Sequence, residues 1–222
     1  MKLSVVIPAL DEADRIAGAV ASAAGEGDEV IVVDGGSRDG TPDRAAAAGA
    51  TIIQSTPGRA RQLGVGARRA RGEAVVFLHA DTRLPAGWAA AVREALADTD
   101  TCGGAFGLRF DVTPPALRLI QWGVALRVRL FRLPYGDQAI FARRRVLEEM
   151  GGPPQAELME DLDLVQALKC RGRFVLVPLA VTTSARRYLE QGAWRTAFRN
   201  LAAAAAWRLG LDRARVAAWY RG

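Results

Sequence analysis

Along its first half, the chain alternates short blocks of β-branched apolar residues with longer Ala-rich blocks. Leu3–Ile7 is largely apolar and closed by Pro8, the pattern of a buried strand. Glu12 to Ala24 reads as a helix ending near Gly25 and Gly27, and Glu29–Val33 as a second strand broken sharply by Asp34-Gly35-Gly36-Ser37. Thr41-Pro42 then opens a helix, with Thr41 as N-cap and Pro42 at the first helical position. Thr51–Gln54 is a third strand, Arg59–Arg71 a helix closed by Gly72, Ala74–Leu78 a fourth strand and Pro85–Leu96 the next helix. Strands alternating with helices through short connections predict an α/β fold with a mostly parallel sheet and helices on both faces. In such sheets ligands bind beyond the carboxyl ends of the strands.

The second half is less regular. Gly104–Phe110 reads as a strand, and Leu117–Leu133 as a basic amphipathic helix. Ala139–Ala142 is a short strand followed by a helix to Met150. Glu160–Lys169 is helical, Phe174–Val177 is a strand, and Trp194–Leu209 is an Ala-rich helix. No linker, repeat or low-complexity segment divides the chain, so residues 1–222 are expected to form one domain. Residues 1–110 would be its first half and 111–222 its mixed second half.

Composition narrows the choice of function. Half of the 222 residues are hydrophobic and 24% are charged, which excludes wholesale disorder. The net charge is +6, and Lys2 and Lys169 are the only lysines, so the positive charge is almost all arginine, the residue suited to bidentate phosphate contact. The same Arg and Ala richness also follows from a GC-rich genome. Cys102 and Cys170 are too few for a disulfide framework and are expected to be reduced, buried thiols. With His79 as the only histidine, a zinc site is not expected. The first apolar run is too short for a signal peptide, and no stretch reaches the ~18–20 apolar residues that span a bilayer. The expected location is cytoplasmic, with room for peripheral contact at the inner membrane surface.

The residues after the strands carry the chemistry. Pro8-Ala9-Leu10-Asp11-Glu12, Asp34-Gly35-Gly36-Ser37-Arg38-Asp39-Gly40-Thr41 and His79-Ala80-Asp81 place acidic residues at three strand ends. Asp34 can accept hydrogen bonds from a base imide or a ribose hydroxyl, and Gly35 and Gly36 allow close backbone approach. It can equally belong to a turn that only caps the following helix. Asp81 can hold Mg2+ or Mn2+ with diphosphate oxygens and water as further ligands, or cap the helix that follows. Arg59 and Arg61 open a helix after the third strand, where a guanidinium and a helix N-terminus both favour an anion, or else form a solvated basic face. On the helix from Leu117, Arg118, Gln121, Ala125, Arg129 and Arg132 share one face, which suits anionic lipid, a homodimer contact or packing on its own domain.

Taken together, in order and spacing, these segments closely resemble the family-2 glycosyltransferases. The resemblance runs from residue 3 to 163 and continues through Tyr135-Gly136-Asp137-Gln138 and Met159-Glu160-Asp161. It implies a GT-A fold, with a Rossmann-like donor half and an acceptor half. It implies transfer of a sugar from a nucleotide-diphosphate sugar, usually a UDP-sugar, to a hydroxyl with inversion, assisted by Mn2+ or Mg2+. On that resemblance Asp34 contacts the base, and Pro8, Ala9 and Glu12 line the nucleoside pocket with Gly35 and Ala80. Arg59 and Arg61 lie near the diphosphate, and Asp81 is the metal-binding end of an Asp-X-Asp motif. Asp161 is the base that takes the acceptor proton. Gly136, Asp137, Gln138 and Glu160 shape the sugar and acceptor pocket, with Arg187 near the diphosphate or acceptor. One departure stands out: His79 replaces the first Asp of the metal motif.

The acceptor is expected to be a small molecule, a lipid or a glycan. Nucleic acid is not an expected partner, because the strand ends are acidic. A sugar nucleotidyltransferase would need a Gly-rich basic signature after the first strand, and a dehydrogenase a GxGxxG there. A non-catalytic nucleotide-sugar binder is the other alternative.

Overall fold

The computed structural model describes residues 1–221. In chain order the elements are β1 (Leu3–Ala9), α1 (Ala13–Ala24), β2 (Glu29–Asp34), α2 (Thr41–Ala47), β3 (Thr51–Gln54), α3 (Arg59–Arg69), β4 (Ala74–Phe77), β5 (Thr82–Arg83), α4 (Trp88–Ala95) and β6 (Thr101–Phe110). There follow α5 (Pro115–Phe131), a 3-10 turn (Gly136–Gln138), β7 (Phe141–Arg143), α6 (Arg144–Glu149), α7 (Glu160–Lys169), β8 (Arg173–Thr183), α8 (Arg186–Gln191), α9 (Ala193–Arg208) and α10 (Arg213–Arg221). All eight strands form one sheet in the order β3-β2-β1-β4-β7-β6-β8-β5. β3, β2, β1 and β4 are mutually parallel; β7 runs antiparallel to both β4 and β6, β6 and β8 are parallel, and β5 is antiparallel to β8.

The central strands are apolar on both faces because both faces are covered. Val5 and Ile7 of β1 pack with Ile16 and Val20 of α1 and Trp88 and Val92 of α4. Val6 points the other way, into a core shared with Leu63 of α3, Leu147 of α6 and Val165 of α7. A smaller third core joins Leu108 and Phe110 of β6 to Leu117 and Ile120 of α5, with Tyr188, Ala193 and Ala197 packed against it.

Several boundaries depart from the sequence expectation. Gly40, with φ of 85°, is the N-cap of α2 instead of Thr41, which is its first residue. β6 starts at Thr101 because Gly103 and Gly104 allow close pairing: a Cβ on Gly103 would lie 2.5 Å from the Phe141 carbonyl oxygen. β8 runs well past the expected Val177. Pro178 marks an end in the sequence, but it falls at the register shift between Ala105↔Leu176 and Gly107↔Ala180, where no ladder bond is required of it. α10 has no clear periodic signal and was not expected. Cys102 is buried as expected, whereas Cys170 is exposed. No helix among the described residues is long and apolar enough to cross a membrane.

Helix α3 lies unusually close to the sheet at Gly66, where a Cβ would collide with Val6 and stand 3.1 Å from Val33. Gly66→Ala is therefore expected to cost about 1–3 kcal/mol by overpacking. Gly123 on α5 meets no atom within 4 Å. Gly123→Ala should be neutral or stabilising by up to about 1 kcal/mol through helix propensity. Urea unfolding of the two variants checks the contrast, and equal effects would contradict the packing described.

Candidate active site

The sheet order places the carboxyl ends of β2, β1 and β4 side by side, and hydrogen bonds tie their loops together. Asp11, with φ of 52°, donates its amide to Ser37 Oγ at 2.9 Å and accepts the Arg38 amide at 2.9 Å. Asp39 accepts the Ala13 amide at 2.9 Å and the Thr41 amide at 3.0 Å, so one carboxylate satisfies the first turns of both α1 and α2. Thr41 Oγ1 accepts the Glu12 amide at 2.9 Å. Beneath them the buried Gln62 side chain donates to the carbonyls of Ala9 (2.9 Å) and Val33 (2.8 Å), stapling the ends of β1 and β2. Asp34 is buried at the end of β2. It accepts the amides of Gly36 (3.0 Å) and Ser37 (3.1 Å) and the Ser37 hydroxyl (2.5 Å). Its oxygens therefore hold their own turn, while capping falls to Asp39, and neither Asp34 nor Gly35 lines the clefts described below. The Gly35 amide donates to the Ala9 carbonyl at 2.9 Å, and a Cβ there would press on Gln62 at 3.1 Å.

A cleft of about 380 Å3 opens beside this tied surface, lined by Pro8, Ala9, Glu12, Arg59, Ala80 and Asp81 among others. Six residues expected in the donor site thus meet around one space. Glu12 is not a free carboxylate: Arg186 bonds its Oε1 at 3.0 Å, tying the start of α8 to the start of α1. Arg61 is exposed, bonded to Thr56 Oγ1 at 2.6 Å, and does not line the cleft.

A second cleft of about 200 Å3 shares Arg59, His79 and Asp81 with the first and adds Gly136, Asp137, Glu160, Asp161 and Arg187. The Arg59 guanidinium lies against His79 Nε2 and pairs through Nε with Glu160 at 3.0 Å. Burial, with the Arg59 charge added, holds His79 well below the usual imidazole range, so it is neutral and accepts from Arg59. His79 thus helps position the Arg59 guanidinium in the space that both share with Asp81. Asp81 forms no ion pair of its own among the described residues, and burial pushes its carboxyl up against the opposing pull of Arg186. No three His, Cys, Asp or Glu side chains among the described residues form a metal cage. A lone carboxylate at a cleft mouth does suit Mg2+ or Mn2+, hard ions that keep waters and take substrate phosphate oxygens.

The second half of the chain supplies the remaining carboxylates. Met159, with φ of 57°, turns the chain into α7 and leaves Glu160 and Asp161 in its first turn. Asp161 accepts the Gly136 amide at 2.6 Å and the Leu162 amide at 2.8 Å, which fixes both of its oxygens. Asp163 is a structural tie, bound to Trp207 Nε1 at 2.9 Å and to Arg213. Gln138 is buried and braces Phe106 O at 2.9 Å instead of lining the cleft. Asp137 differs from its neighbours: its Oδ1 is buried without a hydrogen-bond partner, and burial is the main cause that pushes its carboxyl up to about 6. Tyr188, also lining this cleft, is pushed up to about 12 by burial and remains a phenol donor.

Gln62, Arg127, Asn200 and Tyr220 escaped the sequence reading. Gln62 had a signal: it lies one turn before Gly66 on the sheet-facing stripe of α3, a polar residue where apolar ones are expected. Asn200 and Tyr220 reach the cleft only through the packing of α9 and α10, which no local pattern encodes.

The Asp137 geometry yields a pH prediction for the metal-free protein. A carboxyl raised from 3.8 to about 6 adds stability below pH 4, which is lost as pH rises through 6. Asp137→Asn avoids that loss. It should melt several degrees above the parent at pH 7.5, on the order of 3 kcal/mol, with the advantage falling to about 1 kcal/mol at pH 4.5 and vanishing by pH 3. Thermal melts across this range check it; an advantage that does not change with pH would contradict the assignment.

Known proteins can be set beside this geometry. The model of glycosyl transferase family 2 matches residues 4–151, which includes Asp34, Asp81 and Asp137 but stops short of Glu160 and Asp161. Glucosyl-3-phosphoglycerate synthase of Mycolicibacterium paratuberculosis (strain ATCC BAA-968 / K-10) is 39% identical over 96 residues, 37% of this chain and 29% of that protein's length. The chain thus matches under a third of that relative. Among solved structures, glucosyl-3-phosphoglycerate synthase from Mycobacterium tuberculosis, in complex with Mn2+ and UDP-glucose, aligns with TM-score 0.66 and 23% identity over 95% of this chain and 80% of that one. The mannosyltransferase PcManGT from Pyrobaculum calidifontis, in complex with GDP-Man and Mn2+, aligns with TM-score 0.68 and 22% identity over 93% and 64%. At these identities the likeness is one of fold. Two-thirds of the chain matches the family model, and the sheet carries the family's motif segments at adjoining strand ends: the chain belongs to glycosyl transferase family 2 and has its GT-A fold.

Proposed function

We propose that the chain transfers a sugar from a nucleotide-diphosphate sugar to an acceptor hydroxyl, with residues 1–110 binding the donor and 111–222 shaping the acceptor side of one domain. The observation that carries this reading is the continuity of two clefts through Arg59, His79 and Asp81, one bounded by the strand-end loops and the other by carboxylates. The nucleoside rests against Pro8, Ala9 and Ala80, with the Asp34 turn beside the base, which we take to be uracil. Arg59 faces the diphosphate. Asp81 holds Mn2+ or Mg2+, which when bound neutralises charge on the leaving diphosphate. The metal-bearing complexes of the fold relatives with UDP-glucose and GDP-Man support a nucleotide-sugar donor here.

The chemical step is a single displacement. The acceptor oxygen forms a bond to the sugar's anomeric carbon as the bond from that carbon to the diphosphate oxygen breaks. The nucleoside diphosphate leaves with the electron pair, and the acceptor proton passes to a carboxylate. One displacement inverts the anomeric centre. Asp161 is our candidate base, because both its oxygens are fixed by backbone amides at the cleft wall. The unpartnered Asp137 Oδ1 favours a second reading, in which Asp137 takes the proton. Near pH 6 Asp137 would gain its charge, so activity carried by it rises through that pH.

Binding, turnover and product stereochemistry test the proposal. Calorimetry with UDP-, GDP- and dTDP-sugars should give a donor whose affinity depends on Mn2+. Asp81→Ala should remove that dependence, and unchanged affinity would take Asp81 out of the metal role. Asp161→Asn should keep donor binding and lower kcat by roughly a hundredfold or more. If Asp137→Asn alone abolishes turnover, and the acid limb near pH 6 disappears with it, the base is Asp137. The anomeric configuration of the product, read by NMR, tests inversion directly.

A further inference from the structure

Helices α5 and α9 leave large apolar side chains in solvent. Trp122, Leu130 and Phe131 of α5 are 62–64% exposed, and Trp194, Phe198 and Leu201 of α9 are 60–67% exposed. Leu126, Leu130 and Phe131 on one side and Trp194 and Leu201 on the other line a groove of about 440 Å3. Its inner end is formed by Tyr135, Asp137, Tyr188 and Asn200, which also line the carboxylate-bearing cleft. The apolar groove therefore runs into the reaction space.

Charge decides what covers this face. α5 contains Arg118, Arg127 and Arg129, α9 contains Arg195, Arg199 and Arg208, and neither helix contains an acidic residue. A second copy seated on the same patch by two-fold symmetry would set arginine against arginine. A partner protein seated on the groove would also close the acceptor's path. Tryptophans beside arginines on a helical face suit the headgroup level of an anionic bilayer. Arg127 adds an independent sign. Its guanidinium lies 3.4 Å from the Tyr135 ring centroid at the groove's polar end, and its Nε and Nη2 are buried without hydrogen-bond partners. Buried guanidinium donors require an acceptor, and an anionic head group supplies one.

We infer that the α5–α9 face docks on an anionic lipid surface and that the acceptor is an anionic amphiphile, its hydrocarbon chain in the groove and its hydroxyl at the carboxylate cleft. This rests on the transferase reading and names its acceptor class.

Vesicle co-sedimentation tests the docking. The protein should bind phosphatidylcholine vesicles containing phosphatidylglycerol, bind pure phosphatidylcholine weakly, and lose binding at high salt. The double variant Trp122→Ser/Phe198→Ser, and separately Arg129→Glu, should each lower vesicle affinity by about tenfold or more. Both should keep the melting temperature and the nucleotide-sugar affinity of the parent. Lysophosphatidylglycerol, followed by tryptophan fluorescence, tests the groove: Gly123→Phe, which fills it, should weaken lysolipid binding and spare the donor. Intact donor binding without vesicle or lysolipid binding overturns the inference while leaving the transferase reading in place. So does a concentration-dependent dimer that Trp122→Ser/Phe198→Ser disrupts. Loss of donor binding by the unaltered protein would instead bring down the transferase reading.

Discussion

One buried amide holds the ends of the two strands on which the donor surface is built. Gln62 reaches up from α3 and donates to the carbonyls of Ala9, the last residue of β1, and Val33, the last but one of β2. The Ala9 carbonyl also accepts the Gly35 amide, so Gln62 is the partner that the two strand ends share, and a buried carbonyl left unpaired would cost about 1–3 kcal/mol. Gln62 supplies the partner only because α3 lies unusually close to the sheet, and it does so because Gly66 has no side chain to meet Val6. The absence of one Cβ therefore fixes the helix, the helix fixes the amide, and the amide fixes the spacing of the loops that carry Pro8, Ala9 and Asp34. Above that floor, Asp39 and Thr41 bind the two loops to each other, so the surface is preorganised without any ligand.

Charge at the site is arranged around substitution of a carboxylate by a neutral imidazole. With Asp at position 79, two carboxylates would face the diphosphate. With His79 there, the cation beside it is Arg59, steadied also by Glu160. In the proposed reaction, a fixed guanidinium and the single carboxylate of Asp81 would meet the leaving anion. In the second cleft the balance is opposite: Asp137, Asp161 and Glu160 crowd together, and burial of Asp137 and Glu160 pushes their carboxyls up. Cationic and anionic surfaces meeting across one cleft are what group transfer from a diphosphate to a hydroxyl needs.

Much of the donor half could be read from the residue pattern, for a physical reason. β1, β2 and β4 are buried on both faces, so their apolar runs are uninterrupted, and the residues that follow them fall at the cleft by the geometry of parallel sheets. That logic singles out the segments that hold Pro8, Ala9, Glu12 and Asp81, and in the structure these residues line one space. It could not tell which acidic residue does which work. Asp34 and Asp39 look alike in the sequence, yet the first closes its own turn and the second caps two helices. The acceptor half was less legible because its elements are defined by distant partners. β8 continues through Pro178 only because β6 bulges beside it, and Asn200 and Tyr220 enter the cleft from helices whose docking depends on ties such as Asp163 to Arg213. Gln138 sat in the right motif and took a structural role, while Asp137 beside it kept a buried free oxygen.

The central claim is that the tied strand ends and Asp81 together form the site for a nucleotide diphosphate and its metal. The most direct measurement is a crystal structure with UDP and Mn2+ bound, with manganese located by its anomalous scattering. An anomalous peak is expected within coordinating distance of an Asp81 oxygen and of the diphosphate, with the base against the turn that Asp34 holds. A nucleotide bound away from the β1, β2 and β4 ends, or manganese held by a different carboxylate, would contradict that claim.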